Sequence, residues 1–205
     1  MVCRKRLRSV VPIIGINDSS NQYSTIYGVD PSRINEAIAL ASAFSGALDP
    51  QTLQFDLNKA TQIAQNENLW VIGEVDQTII SQTIQIDNMV NQIMQLLSQL
   101  LNASFPEGEI TNQLTIAMTN VFTNLNLQES SDWIFWKKED AYSTTYLYNI
   151  LFAIESRGCI SCIPMGFEIS VDIEKEKVLF ITIKDKHTYS VRLTAINAYG
   201  TACLP

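Results

Sequence analysis

The apolar stretch Val10–Val29 reads as one or two strands around a polar loop at Asn17–Gln22. Asp30-Pro31 then predicts a helix start. An Asp side chain accepts from the free N–H groups of a first helical turn, and Pro fits its first position. Ile34, Ile38, Ala41 and Phe44 recur at helical spacing up to Gly46, which predicts the stop. A shorter helix is predicted over Asp56–Gln65, with Leu57, Ala60, Ile63 and Ala64 on one side.

The longest apolar stripe follows. From Asp76 to Leu101, residues Ile79, Thr83, Ile86, Val90, Ile93, Leu97 and Leu100 recur at alternating steps of four and three. Ile80, Ile84, Met94 and Leu101 widen the stripe. This predicts a helix of ~39 Å at 1.5 Å per residue, ended by Phe105-Pro106. A second helix is predicted over Glu107–Leu125, carried by Ile110, Leu114, Ala117, Val121 and Leu125, so that the two form a hairpin. Their polar positions are filled mostly by Gln and Asn, and no Lys or Arg occurs between Lys59 and Lys137. Packing on a sheet accounts for such faces in the folded state, and a face without strong charge can also approach lipid at lower desolvation cost.

Beyond residue 130 the period changes to two. Trp133–Trp136 predicts a short strand. Thr144–Ile154 predicts an inner strand, with Tyr146, Tyr148, Ile150, Phe152 and Ile154 on one face and Leu147, Leu151 and Ala153 on the other. Ile163–Ile173 alternates Met165, Phe167, Ile169, Val171 and Ile173 with Gly166, Glu168, Ser170 and Asp172. Glu174-Lys175-Glu176 reads as a polar turn, and Lys177–Lys184 and Thr188–Ala195 as the remaining strands of a meander. Helices first and consecutive strands afterwards predict an α+β fold with an antiparallel sheet.

At 205 residues and 46% hydrophobic composition, one domain with its own core is expected. A net charge of −7 argues against a sequence-independent grip on nucleic acid, and against purely electrostatic capture by anionic membranes. It leaves a membrane contact made by apolar groups open. No secretory signal is legible, because the apolar stretch Val10–Ile16 is short and broken by Pro12. Asn88–Pro106 carries too many amides for a transmembrane helix.

The chemistry-bearing residues are sparse. The single histidine, His187, reads as a solvated turn residue. Eight singly spread glycines offer no phosphate loop, and no serine or cysteine sits in a nucleophile elbow. Cys159 and Cys162 read as a turn rather than half of a zinc site, because Cys3 and Cys203 supply no second close pair. No cofactor, metal site or enzymatic activity is expected from these residues.

Five segments do resemble a known family, in order: INEAIALASAFSGALDP at 34–50, VFTNLN at 121–126, WIFW at 133–136, YNILFAI at 148–154 and FEISVDIEKEKVLFITIKD at 167–185. The chain is similar in these to the Cyt cytolytic delta-endotoxins, bacterial insecticidal toxins that lyse membranes. The resemblance implies one three-layer α-β-α domain over residues 1–205, an antiparallel sheet between two helical layers. It also implies synthesis inside the bacterium as a crystallising protoxin, held as a dimer, and trimming by proteases. The trimmed form then binds membrane phospholipid directly, self-associates and permeabilises the membrane, and three-domain crystal toxins are a further expected partner.

Within that frame residues 1–22 form an N-terminal pro-segment, with Arg4, Lys5, Arg6 and Arg8 as the activation cleavage cluster, and residues 196–205 form a short tail. The resemblance also favours strands over helices as the inserting elements. These are Thr145–Glu155, Phe167–Ile173 and Val178–Lys184, which would place Tyr146, Tyr148, Ile150, Phe152, Phe167, Ile169, Val171, Ile173, Leu179 and Ile181 toward lipid. A non-lytic lipid-binding or structural relative with the same fold is the alternative.

Overall fold

The computed structural model describes residues 22–100, 109–156 and 158–200. The basic cluster Arg4, Lys5, Arg6 and Arg8, the rest of the expected pro-segment up to residue 21, and the Phe105-Pro106 stop lie outside these residues. Six strands form one sheet: β1 (Ser24–Gly28), β2 (Leu69–Gln85), β3 (Ile134–Glu139), β4 (Thr144–Ser156), β5 (Cys159–Val171) and β6 (Lys186–Gly200). The order is β1-β4-β5-β6-β2, with β3 sharing the β4 edge with β1. All pairings are antiparallel except β1 with β4, so the sheet is mixed rather than purely antiparallel.

Helices cover both faces. On one face lie α1 (Ile34–Phe44) and α2 (Leu57–Asn66), which bury Ala37, Ala41, Phe44, Ala60 and Ala64 against Leu151, Ala153, Cys162, Ile196 and Ala198. Asp30 accepts from the Ser32 amide ahead of α1, and Asp56 from the Lys59 amide at the start of α2. Each aspartate thus satisfies a donor that the helix itself leaves open. On the other face lie α3 (Ile86–Leu100) and α4 (Glu109–Asn120). Ile86, Met89, Val90, Ile93 and Leu97 of α3 are buried at helical spacing, with Leu114 and Met118 of α4 beside them. Phe122 meets Phe167 and Tyr189 edge-on, at centroid distances of 6.5 and 6.1 Å.

Three expected elements are corrected. The long helix from Asp76 begins only at Ile86, and the preceding residues form the 17-residue strand β2. That segment is rich in β-branched residues (Val71, Ile72, Val75, Thr78, Ile79, Ile80, Thr83, Ile84), which favour a pleated strand. Register shifts at Val71/Gly73 and Thr78/Ile80 break its alternation, so the apolar positions imitate a helical stripe.

The expected strand over 177–184 is absent. Glu174 instead precedes a one-turn helix, α5 (Lys175–Val178), and the chain loops out of the sheet before β6. Val178 and Ile181, three residues apart, both turn into the core, a helical spacing within an apolar run. Finally, residues 196–200 are no tail: they complete β6, with Ile196 and Ala198 buried.

The α1–α2 layer reaches its limit at Gly166. A Cβ there would lie 2.6 Å from the Phe55 Cβ and 3.0 Å from the Asn149 Oδ1. The neighbouring Asn149 amide donates to the Leu53 carbonyl at 2.9 Å. Leu53 itself holds φ at 55°, a left-handed value uncommon outside glycine. Gly166→Ala is expected to lower stability by about 1–3 kcal/mol, because the contact on one side is backbone-proximal and cannot swing away. Urea unfolding followed by circular dichroism checks it, with a reduced midpoint at unchanged slope as the expected result.

Candidate membrane-active surface

The two faces of the sheet differ by level. Near the β1 end both are apolar: the row Ala153, Cys162, Ala198 and Val71 runs beneath α1 and α2, while Phe152 and Ile163 face the other side. Below Gly166 the faces diverge. The row Tyr146, Ile169, Val191 and Ile80 is buried beneath α3 and α4. The adjacent row Thr145, Ser170, Ser190 and Ser81 points the opposite way, clear of the α1–α2 layer. One step on, Phe167 and Leu193 are buried, while Glu168, Arg192 and Thr78 lie on the polar side.

Much of the polar side pairs within itself. Thr145 and Ser170 share a hydroxyl hydrogen bond of 2.8 Å, as do Thr83 and Thr188 at 2.9 Å. Lys137 pairs with Glu168 at 2.7 Å, and Asp76 accepts from the Arg192 guanidinium and from the Thr194 hydroxyl. This half of the sheet is therefore amphipathic across four adjacent strands.

Of the residues expected to face lipid, Tyr146, Tyr148, Ile150, Phe152, Phe167, Ile169 and Val171 come together on the buried side under α3 and α4. Ile173 packs at the margin, just past the end of β5. Leu179 and Ile181 do not join them on a strand; both belong to the loop after α5. His187 is half-buried in β6 rather than in a turn, 3.8 Å from Asp172 and edge-on to Tyr189. Cys159 and Cys162 are likewise in β5, not in a turn. Cys162 is a free thiol whose pKa burial pushes far up, which leaves it unreactive. Among the described residues no cluster of acidic, histidine or cysteine side chains could hold a metal, and no helix is long and apolar enough to cross a membrane.

Sequence reasoning missed how the helical pair is fastened. Its first residue continues β2, and its last turn is held by polar contacts. The Tyr146 hydroxyl donates to the Val121 carbonyl at 3.0 Å. Gln128 bridges the layers: its Oε1 accepts from the Tyr148 hydroxyl at 2.6 Å, and its Nε2 donates to the Asn120 carbonyl at 3.1 Å. Lys175 lies 3.1 Å from both Glu129 and Glu139 and 4.5 Å from the Trp136 ring centre. At the far end of α4, Ile110 packs against Gly28 of β1. Along α4 and just past it, the part-buried Thr115 and Thr119 and the buried Thr123 each donate a hydroxyl to the carbonyl four residues earlier. No sequence motif marks Gln128 or Lys175; their roles come from tertiary placement alone.

An amphipathic half-sheet whose apolar side is closed by a helical pair, in a three-layer α-β-α sandwich, is the architecture of the cytolytic delta-endotoxins. The family model described as Bacillus thuringiensis toxin matches residues 2–201, and the chain belongs to this family. It is 37% identical over 199 residues to the type-2Aa cytolytic delta-endotoxin of Bacillus thuringiensis subsp. kyushuensis, covering 95% of this chain and 76% of that protein. It is 39% identical over 191 residues to the type-1Aa toxin of subsp. morrisoni, covering 88% and 76%. The crystal structure of the activated Cyt2Ba monomer from subsp. israelensis superposes with a TM-score of 0.84 at 38% identity, over 88% of this chain and 98% of that one.

Tyr148 makes the fastening sensitive to alkali. Burial pushes its pKa up to about 12, above the ordinary phenol value of about 10. Its stabilising contribution is thus fully present below pH ~10 and is lost as pH rises through ~12. The urea midpoint is expected to hold from neutral pH to about 9 and then fall. Tyr148→Phe should flatten that fall and cost about 1 kcal/mol at neutral pH, since it removes the hydrogen bond to Gln128.

Proposed function

We propose that this chain permeabilises lipid membranes by exposing the apolar side of its amphipathic half-sheet. The observation that supports this most strongly is the pairing of rows: Tyr146, Ile169, Val191 and Ile80 on one side, Thr145, Ser170, Ser190 and Ser81 on the other. If α3 and α4 lift away, the first row meets hydrocarbon and the second meets water. β4 and β5 each have 13 residues, β6 has 15 and β2 has 17, against the roughly 9–11 that a tilted strand needs to span a bilayer.

Strands rather than helices suit this role. In hydrocarbon every backbone donor needs a partner, which a closed barrel supplies and an open sheet does not. Over Gln77–Ile86 the edge strand β2 and its junction with α3 carry no charge, unlike β3 with Lys137, Lys138 and Glu139. The lytic state is therefore an assembly of several copies joined at such edges, on a phospholipid surface.

Tethering tests the lifting step. Gly28→Cys with Ile110→Cys joins α4 to β1, since a Cβ at residue 28 would lie 3.3 Å from the Ile110 side chain. The oxidised double variant is expected to bind liposomes but release no entrapped dye, and reductant should restore release. Dye release from the oxidised form at the wild-type rate would overturn the mechanism.

Proteolytic activation is part of the same reading, supported by a relative whose structure is that of an activated monomer. The basic cluster Arg4, Lys5, Arg6 and Arg8 offers trypsin-like cleavage sites. Replacing all four by Gln should delay the onset of dye release after trypsin addition. Full release by the untreated chain would refute an obligatory cut.

A further inference from the structure

Six large hydrophobic side chains are conspicuously exposed among the described residues: Trp70, Ile116, Leu127, Tyr142, Phe180 and Ile183. Four of them gather at one end of the sheet, where β3 and β5 finish and β4 and β6 begin. Tyr142, 84% exposed, caps the turn between β3 and β4. Phe180 and Ile183, 68% and 44% exposed, lie in the loop between α5 and β6. Leu127, 80% exposed, is drawn beside that loop because the Asn126 amide donates to the Leu179 carbonyl at 3.2 Å.

Lysines gather at the same end. Lys137, Lys138, Lys175, Lys177, Lys184 and Lys186 are there; the one other lysine of the described residues, Lys59, is on α2. Lys138, Lys175 and Lys177 are paired with Asp140, with Glu129 and Glu139, and with Glu174, respectively. Lys184 and Lys186 are exposed, form no ion pair among the described residues, and follow Ile183 within three positions. Local acids offset the lysines, so net charge does not select the partner here. An apolar rim with free ammonium groups beside it does. Phe, Leu and Ile side chains enter the acyl boundary of a bilayer, a Tyr phenol sits at headgroup depth, and lysine stems let the charge reach phosphate.

We infer that this end, led by Leu127, Phe180 and Ile183 with Tyr142 beside them, is the surface by which the protein first docks on a phospholipid bilayer. The inference rests on the membrane-permeabilising reading and gives it an orientation. Docked this way, the molecule stands end-on, with the strands running away from the bilayer. The roots of the helical pair, at Gln85 and Asn126, then lie next to the lipid: the Gln85 amide donates to the Lys184 carbonyl at 3.1 Å, in the docking loop itself. The amphipathic rows begin at the same level, so insertion needs no reorientation of the whole molecule.

The test is vesicle co-sedimentation with phosphatidylcholine liposomes, using the trypsin-treated full chain. Leu127→Ser, Phe180→Ser and Ile183→Ser combined should weaken binding at least tenfold. Trp70→Ser, which removes an exposed apolar group elsewhere, should change it less than twofold. Circular dichroism confirms that each variant is folded, as expected for exposed positions. Lys184→Glu with Lys186→Glu should weaken binding further in vesicles containing an anionic lipid, and added salt should shrink that difference. Unchanged binding by the triple variant, or equal loss in the Trp70 control, would overturn the docking surface while leaving the lytic reading intact. A wild-type chain that neither sediments with vesicles nor releases their contents would overturn the lytic reading itself.

Discussion

The apolar side of the lower sheet has to be covered, and in the folded protein α3 and α4 cover it. Tyr146, Ile169, Val191 and Ile80 would otherwise form an open hydrophobic surface several strands wide, which water-soluble proteins rarely tolerate. Register turns this need into a fixed geometry. A one-residue slip of any strand would send its serines and threonines under the helices and its aliphatic residues into water. The hydroxyl pairs Thr145–Ser170 and Thr83–Thr188 and the Asp76–Arg192 ion pair hold the polar side in step with it.

Polar contacts join the covering helices to the sheet at one end. Where α3 starts and α4 ends, a covalent continuation of β2, Gln128, the Tyr146 and Tyr148 hydroxyls and the Lys175 clasp act together. At the opposite end the contact at Gly28 is apolar packing. Apolar packing is what a lipid environment replaces without loss, because acyl chains are as good a partner as another side chain. Hydrogen bonds to Gln128 are not replaced so cheaply. These polar contacts mark a root for the helical cover.

Much of this was legible in the sequence where period and punctuation agreed. Asp30-Pro31 and Asp56 marked two helix starts, and the alternation of Phe167, Ile169 and Val171 marked one strand with its buried side. β2 was illegible because two bulges shift its phase, so a helical repeat fits Ile79, Thr83 and Ile86 as well as a strand does. Val178–Ile183 was illegible for the opposite reason: a run of apolar residues suits a strand, yet half of it plugs the core and half stands in solvent. The candidate surface was drawn in the sequence from β4, β5 and the run Val178–Lys184, whereas β6 and β2 supply rows that only the fold places beside β5. Polar fasteners such as Gln128 have no period at all.

The threonines of α4 have one more consequence. Thr115, Thr119 and, just past the helix, the buried Thr123 donate their hydroxyl protons to carbonyls four residues earlier, so these donors need no water. Such side chains behave as small alkyl groups with a concealed polar atom. Together with the absence of lysine and arginine throughout both helices, this gives the pair a surface of intermediate polarity. If the pair leaves the sheet as proposed, such a surface need not return to bulk water, and its departure becomes a partition between two tolerable environments.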